Sequence, residues 1–430
     1  MSNWTEHPVN HTFSYQHIIL YLELVLHVAT SLRAASGALK LFSSRVPDCL
    51  RGPSPNTGCN WLLRIGLYEL RRPLEKANDW IWIVDHTSQV GTVRCLLVVG
   101  FRLSYWSTLD RPLELKDLCV ITLAPAETTT AEVTEQELRK ATERTGVPRA
   151  ILSDQGRDIQ KAFRLYSQDH KSTSHVHDVK HKLALFLKAE LEADPEWSSF
   201  CDCLARLRKE FRQSSLQYLS PPTMQTFARY MNLEEIIKWA VKTRAFLSNP
   251  TPPTKELLNM GELNISLKWL RDYDDALVRW NQLIDIVNTS LHYMRLNGFH
   301  ANAQTTLKTL VAPLTQRLES PQRLVDKFLG FVSDESKQAR AGERLPASSE
   351  IIESLIGKGK RIEGQQSSGS FTRLTLAMAT AVTTPTRQYI QDALQAVKTA
   401  DVTKWAVENI GVSMQAKRRR ALPLTRTKNG

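Results

Sequence analysis

Cysteine is scarce in this 430-residue sequence. Its six thiols, Cys49, Cys59, Cys95, Cys119, Cys201 and Cys203, contain no Cys-x-x-Cys pair. That spacing excludes a zinc ribbon, a thioredoxin-like redox motif and a dense disulfide framework, and it fits a reducing cytosolic compartment. Cys201 and Cys203 sit in a helical pattern and read as an ordinary pair rather than a metal site. Long apolar runs are missing too. The most apolar early stretch, residues 18–28, carries Glu23 and His27 and falls short of the roughly 20 residues that span a bilayer. No membrane segment and no signal peptide are expected. Internal repeats are absent as well. Acid is outnumbered by base, 44 Asp and Glu against 56 Lys and Arg, for a net charge of +12. This balance disfavours a cationic partner and favours a polyanionic one, most simply nucleic acid. Apolar residues are in normal supply at 42%, which excludes a disordered chain, and the length calls for two or three domains.

Periodicity divides what is present. Residues 1–78 read as short helices. "ATSLRAASGALKLF" has helical spacing, and "CNWLLRIGLYELRR" places Trp61, Leu62, Ile65, Leu67 and Leu70 near one face with Arg64, Arg71 and Arg72 elsewhere. A helix-turn-helix DNA-binding region with Arg64 and Arg71 on DNA is one expectation; a helical lid on the next domain is the other. From residue 79 the period changes to strands. Residues 80–85, 92–103 and 117–125 make an antiparallel meander. Helix, strand, helix, strand and helix follow. The order β-β-β-α-β-α-β-α predicts a mixed α/β sheet flanked by helices, the order of the ribonuclease-H-like fold. Residues 79–181 and 346–375 would form this core. Residues 182–345 would be a large all-helical insertion, including one long amphipathic helix across 263–294. Residues 376–430 would be a helical, basic tail ending in "AKRRR", with Lys417 to Arg420 solvated.

The chemistry-bearing residues stand at the ends of the strands. In "WIWIVDHTSQVG", five bulky apolar residues precede Asp85. A carboxylate after a strand buried on both faces must be hydrogen-bonded, paired or metal-bound. Asp154 in "ILSDQG" follows a second apolar strand. Two converging carboxylates repel unless a cation lies between them, and hard oxygen ligands suit Mg²⁺ or Mn²⁺. Each aspartate could instead cap its own turn. The third candidate lies in "SSEIIESLIGKGKR". Ser348 or Ser349 caps a helix whose buried stripe is Ile351, Ile352, Leu355 and Ile356, and Glu353 shares a face with Gly357 and Lys360. Glu350 is a rival to Glu353. Asp178 is a good N-cap for the helix that starts at Val179. The histidines of "HVHDVKH" raise a zinc-hydrolase reading, which the two residues between Asp178 and His181 disfavour. Trp197, Trp239, Trp269 and Trp280 read as core.

These three blocks, in this order, resemble a DDE transposase of the bacterial insertion-sequence type. Asp178-Val179-Lys180-His181 is similar to the (Cys/Asp)-x-x-His string of families that carry a helical insertion between the second Asp and the Glu; here roughly 200 residues separate Asp154 from Glu353. The resemblance covers about residues 20–375. It implies two Mg²⁺ or Mn²⁺ ions held by Asp85, Asp154 and Glu353, and DNA cleavage with strand transfer at the ends of a mobile element. Lys358, Lys360 and Arg361 would lie on DNA backbone, with Asp178 and His181 auxiliary. Terminal inverted repeats and target DNA would be the partners, bound by a homo-oligomer beside the nucleoid. A metal-dependent nuclease on the same fold and a non-catalytic transposase-derived DNA-binding protein are the alternatives.

Overall fold

The computed structural model describes residues 6–45, 52–88, 94–126, 128–154, 156–223, 231–248, 260–315, 319–365, 372–411 and 421–422. The chain forms two compact units, Met1–Val176 with Ser349–Gly430, and His177–Ser348. Cys49 and the basic stretch Lys417 to Arg420 lie outside the described residues.

The first unit is built on a five-stranded sheet: β1 Trp80–Ser88, β2 Arg94–Arg102, β3 Cys119–Ala126, β4 Ala150–Ser153 and β5 Ser174–His177. Their order is β3-β2-β1-β4-β5. The first three strands pair antiparallel, and β4 runs parallel to β1. Strand β1 is central, and Trp80, Ile81, Trp82, Ile83 and Val84 are all buried, as an unbroken apolar run requires. Alternation sends Trp80, Trp82 and Val84 to one face, where they pack with Leu96, Val98, Ile121 and Ile151. The helices covering that face are α5 Ala131–Thr145 and α6 Arg157–Asp169, which supply Leu138, Ala141, Ile159 and Tyr166. Helix α5 opens on the Thr130 hydroxyl, which accepts from the Val133 N–H, and closes at Gly146. Gly146 has φ +86°, a left-handed position that favours glycine.

The remaining helices of this unit are α1 Tyr15–Leu26, α2 Leu32–Ser43, α3 Pro55–Arg71 and the short α4 Leu103–Trp106 before the sheet is complete. In the second unit come α7 Val179–Glu192, α8 Pro195–Phe211, α9 Met231–Ser248, α10 Met260–Leu267, α11 Asp274–Asn297, α12 Ala303–Val311 and α13 Glu319–Ser336. The chain then returns to the first unit with α14 Glu350–Glu363, α15 Ala377–Thr380, α16 Arg387–Ala396 and α17 Thr399–Asn409.

Two expectations change. Helix α3 is not amphipathic in effect. Leu63 and Gly66 are buried along with Trp61, Leu62, Ile65 and Leu67, because α1 and α2 pack beside it, β3 lies against it, and α15, α16 and α17 cover it. A helix apolar on most sides is an interior element, so residues 1–78 share a core with the sheet. The described stretch that follows residue 376 is likewise packed: Leu376, Ala377, Met378, Ala379 and Val382 are buried. Gly66 makes the close approach possible, since a Cβ there would stand 2.2 Å from the Leu376 carbonyl oxygen.

In the second unit, the single helix expected across 263–294 is two. Helix α10 ends at Leu267, residues Lys268–Tyr273 form a 3-10 turn, and α11 begins at Asp274. Asp274 and Asp275 in the first turn of α11 suit a new helix start. The apolar spacing continues across the break, since Leu270, Tyr273, Leu277 and Trp280 are all buried and the Tyr273 and Trp280 rings meet. Trp197, Phe200, Trp269, Tyr273 and Trp280 form a chain of tilted and edge-on ring contacts. Trp197 and Trp280 are buried core residues, and the Trp239 indole N–H donates to the Leu219 carbonyl at 3.3 Å.

Candidate strand-end acid site

The parallel register of β1 and β4 pairs Ile83 with Leu152 and Val84 with Ser153. One step further along the same register stand Asp85 and Asp154. Adjacent strands lie about 4.8 Å apart and side chains alternate between faces. Val84 and Ile151 belong to the α5/α6 face, so Asp85, with Ile81 and Ile83, points to the opposite face. Asp154 follows the last residue of β4. Helix α14, which carries Glu353, packs against β1. Cys95, cross-strand from Thr87, has its thiol pKa pushed up by burial and then by the Glu363 carboxylate. Asp85 is inside β1 rather than at its expected end, opposite Leu97 and one residue past the last β1/β4 pair, because pairing with β2 carries the strand on to Ser88, whereas Asp154 lies just past its strand.

Both aspartates are half-buried rather than fully buried. Each is oriented by local backbone. Asp85 Oδ1 accepts from the His86 N–H at 2.7 Å, and Asp154 Oδ1 accepts from the Gly156 N–H at 2.9 Å. The second is the turn geometry that an Asp-x-Gly sequence offers. Beside them is a polar group that motif reading passed over. The His86 ring, on the α5 face, meets the Thr134 hydroxyl at 3.3 Å. Its pKa lies below 6.5, chiefly through burial and also through Arg94, while Asp158 and Asp154 oppose the shift. Arg94 and Asp158 form a 3.9 Å ion pair at the same end of the sheet. Only the β1–β2 register locates Arg94 there. The Ser153 hydroxyl meets His175 Nε2 at 2.8 Å, and the His175 ring stacks on Phe163.

Glu353 is half-buried in the first turns of α14, behind the N-cap position Ser349. Ile352, Leu355 and Ile356 are buried as expected, whereas Ile351 is only partly so. Gly357 has nothing within 4 Å of a Cβ built there. Lys360 and Arg71 are exposed. Lys358 is half-buried, and burial followed by Arg361 lowers its ammonium pKa. Two arginines expected on DNA have internal roles. Arg64 donates from Nε to the Val397 carbonyl at 2.6 Å and from Nη2 to the Leu394 carbonyl, capping the C-terminal end of α16. Arg361 donates to the Val25 carbonyl at 2.9 Å, at the C-terminal end of α1. Guanidinium groups satisfy such helix ends and complement their dipoles.

In the second unit Asp178 caps α7. Its Oδ1 accepts from the His181 N–H at 2.7 Å and meets His181 Nδ1 at 3.0 Å. The histidines of "HVHDVKH" thus have separate partners: His175 with Ser153, His177 with Glu335 and His181 with Asp178. Among the described residues no group of three His, Cys, Asp or Glu side chains is placed to hold one metal ion. The two strand-end carboxylates have the oxygen chemistry that Mg²⁺ or Mn²⁺ takes, but in this arrangement Glu353 does not complete a three-ligand set with them. Among the described residues, no helix is long and apolar enough to cross a membrane.

No family model and no curated protein matches the sequence. Among solved structures the chain is similar to the Drosophila P element transposase strand transfer complex, at 12% identity and a TM-score of 0.45, with 88% of this chain and 94% of that chain covered.

Proposed function

We propose that the sheet unit is a ribonuclease-H-like catalytic core and that the protein is a DDE-type transposase that cleaves and joins DNA at the ends of a mobile element. The observation that supports the reading is the parallel register: Asp85 follows Val84, Asp154 follows its partner Ser153, and α14, which carries Glu353, packs against β1. Acids on neighbouring strand ends keep a rigid geometry, and an acid on a helix can move relative to them. Two Mg²⁺ or Mn²⁺ ions are the proposed cofactors, with Asp85, Asp154 and Glu353 as ligands. This assignment requires Glu353 to approach the strand ends more closely than in the arrangement described. The net charge of +12 supports DNA as the partner. Lys360 and Arg71 are exposed cations suited to phosphate contact, with half-buried Lys358 beside them. Arg64 and Arg361 hold helix ends and are given no DNA contact. Asp178 and His181 are auxiliary.

The test is an assay with purified protein and DNA carrying the sequences that flank its gene, with Mg²⁺ or Mn²⁺ or with EDTA, beside Asp154→Asn. Nicking or joining at a defined boundary, lost in the variant and in EDTA, supports the reading. Cleavage without any joined product points to a nuclease on the same fold. Equal DNA binding by both proteins with no cutting by either would leave a DNA-binding protein.

A further inference from the structure

The stretch "HVHDVKH" contains a histidine that the proposed function does not use. His177, the first residue of the second unit, is gripped at two points by Glu335 of α13. The Glu335 carboxylate accepts from the His177 backbone N–H at 3.1 Å through Oε2, and its Oε1 meets the ring Nδ1 at 2.8 Å. Glu335 is 7% exposed, and Gln338 Nε2 donates to it at 3.0 Å. A carboxylate needing only to satisfy one backbone donor would not also turn an oxygen to the ring.

The next turn repeats the arrangement, since Asp178 Oδ1 meets Nδ1 of His181. An ionised carboxylate has acceptors only, so an imidazole nitrogen facing it carries the proton. In the neutral ring Nε2 is then the acceptor nitrogen. His177 and His181 are therefore both set as Nδ1–H tautomers, one by an acid 158 residues away in sequence and the other by an acid three residues away. A further bond ties the same segment down: the Val179 N–H donates to the Ala347 carbonyl at 2.8 Å.

We propose that Glu335 is a positioning residue. It fixes the tautomer of His177 and clamps the start of α7, so that the Asp178–His181 pair is presented in one orientation. The functional part of this claim rests on the DNA-cleavage reading above.

The test uses full-length protein labelled with ¹⁵N-histidine, long-range ¹H–¹⁵N spectra, and His177→Gln to assign the resonance. The expected result is an Nδ1–H His177 in the wild type and a mixture of tautomers in Glu335→Ala. Glu335→Gln, whose amide oxygen still accepts, should retain the wild-type signature. In the cleavage assay Glu335→Ala should lose about tenfold or more, the lower end of the cost of removing a partner that orients a metal-ligating histidine, and Glu335→Gln should recover most of it. An Nε2–H His177 in the wild type overturns the proposal without need of a variant that folds. Wild-type cleavage by Glu335→Ala also overturns it. If the tautomers behave as stated and the wild type cuts no DNA, the hold of Glu335 on His177 stands and the cleavage reading is what fails.

Discussion

Glu190 and Asp194 of the helical unit and Asp154 of the sheet unit are oriented over different ranges of sequence. In the helical unit Glu190, 3% exposed, lies between Arg323 at 3.0 Å and Lys327 at 2.8 Å. Asp194 takes Arg279 and the Trp280 indole N–H, both at 3.0 Å. Those cations come from helices far along the chain, so each acid ties helices together. In the sheet unit Asp85 accepts from the backbone one residue on and Asp154 from the backbone two residues on. The Asp154 bond aims a carboxylate from within its own turn, whereas Glu190 and Asp194 reach cations 85 or more residues away, a difference that charge or burial alone would miss.

The strongest way to break that comparison is to exchange outcomes between the two kinds. Asp154→Asn should abolish DNA cleavage and leave the melting temperature close to wild type. Glu190→Gln should do the reverse, lowering stability by about 1–3 kcal/mol with cleavage retained. The loss stays below that of a fully buried pair because Arg323 and Lys327 are about half exposed and can turn to water. Parallel melting and cleavage measurements on both variants decide it; a cleavage-competent Asp154→Asn would erase the distinction.

The cores sharpen the comparison next. Trp82 in the sheet unit and Trp280 in the helical unit are both among the largest fully buried side chains, and truncation to alanine should cost about 3–5 kcal/mol in each. Chemical denaturation read by probes in each unit should show each loss in its own unit first.

Glycine replacements give smaller and opposite effects within one unit. Gly66→Ala drives a Cβ against the Leu376 carbonyl and the Thr380 hydroxyl and should destabilise by about 1–3 kcal/mol. Gly357→Ala meets nothing and should stabilise α14 by roughly 0.5–1 kcal/mol. A loss of DNA cleavage in the stabilised Gly357→Ala variant would mean that a backbone approaches this helix in the complex.

The smallest effect concerns pH. Burial holds the folded His86 pKa below 6.5, so the unfolded chain binds the proton more readily. Stability is therefore full above pH 6.5 and falls as pH drops from there through the folded pKa. His86→Gln should flatten that slope in a series of denaturation curves from pH 7.5 to 5.

Much of the fold was legible because it is local. The apolar run Trp80 to Val84, the stop of α5 at Gly146 and the cap at Asp178 are each decided within a few residues and appear where the periodicity places them, whereas α5 starts at the Thr130 cap, four residues before the Thr134 start that its Thr-x-x-Glu sequence suggests. Asp154 was legible for the same reason, as a polar residue just past an apolar strand, whereas β1 runs on beyond Asp85 to Ser88. Helix α3 was not, since its apolar residues were assigned to one face and the C-terminal helices that cover its other side lie more than 300 residues away. The break at Lys268–Tyr273 was hidden because a 3-10 turn can preserve the buried side while ending the helix.

By itself, the sequence determined the order of strands and helices in the sheet unit, which positions bear carboxylates, and the excess of positive charge, because backbone propensity, capping and composition act over a few residues. The tertiary structure alone decided that β4 pairs with β1, so that Asp85 and Asp154 each follow a member of the Val84–Ser153 pair. It also decided that Arg64 and Arg361 serve helix ends and that Glu335 reaches His177. Those choices join residues remote in the chain, and they follow from which surfaces must be buried together, information that no single stretch of sequence carries.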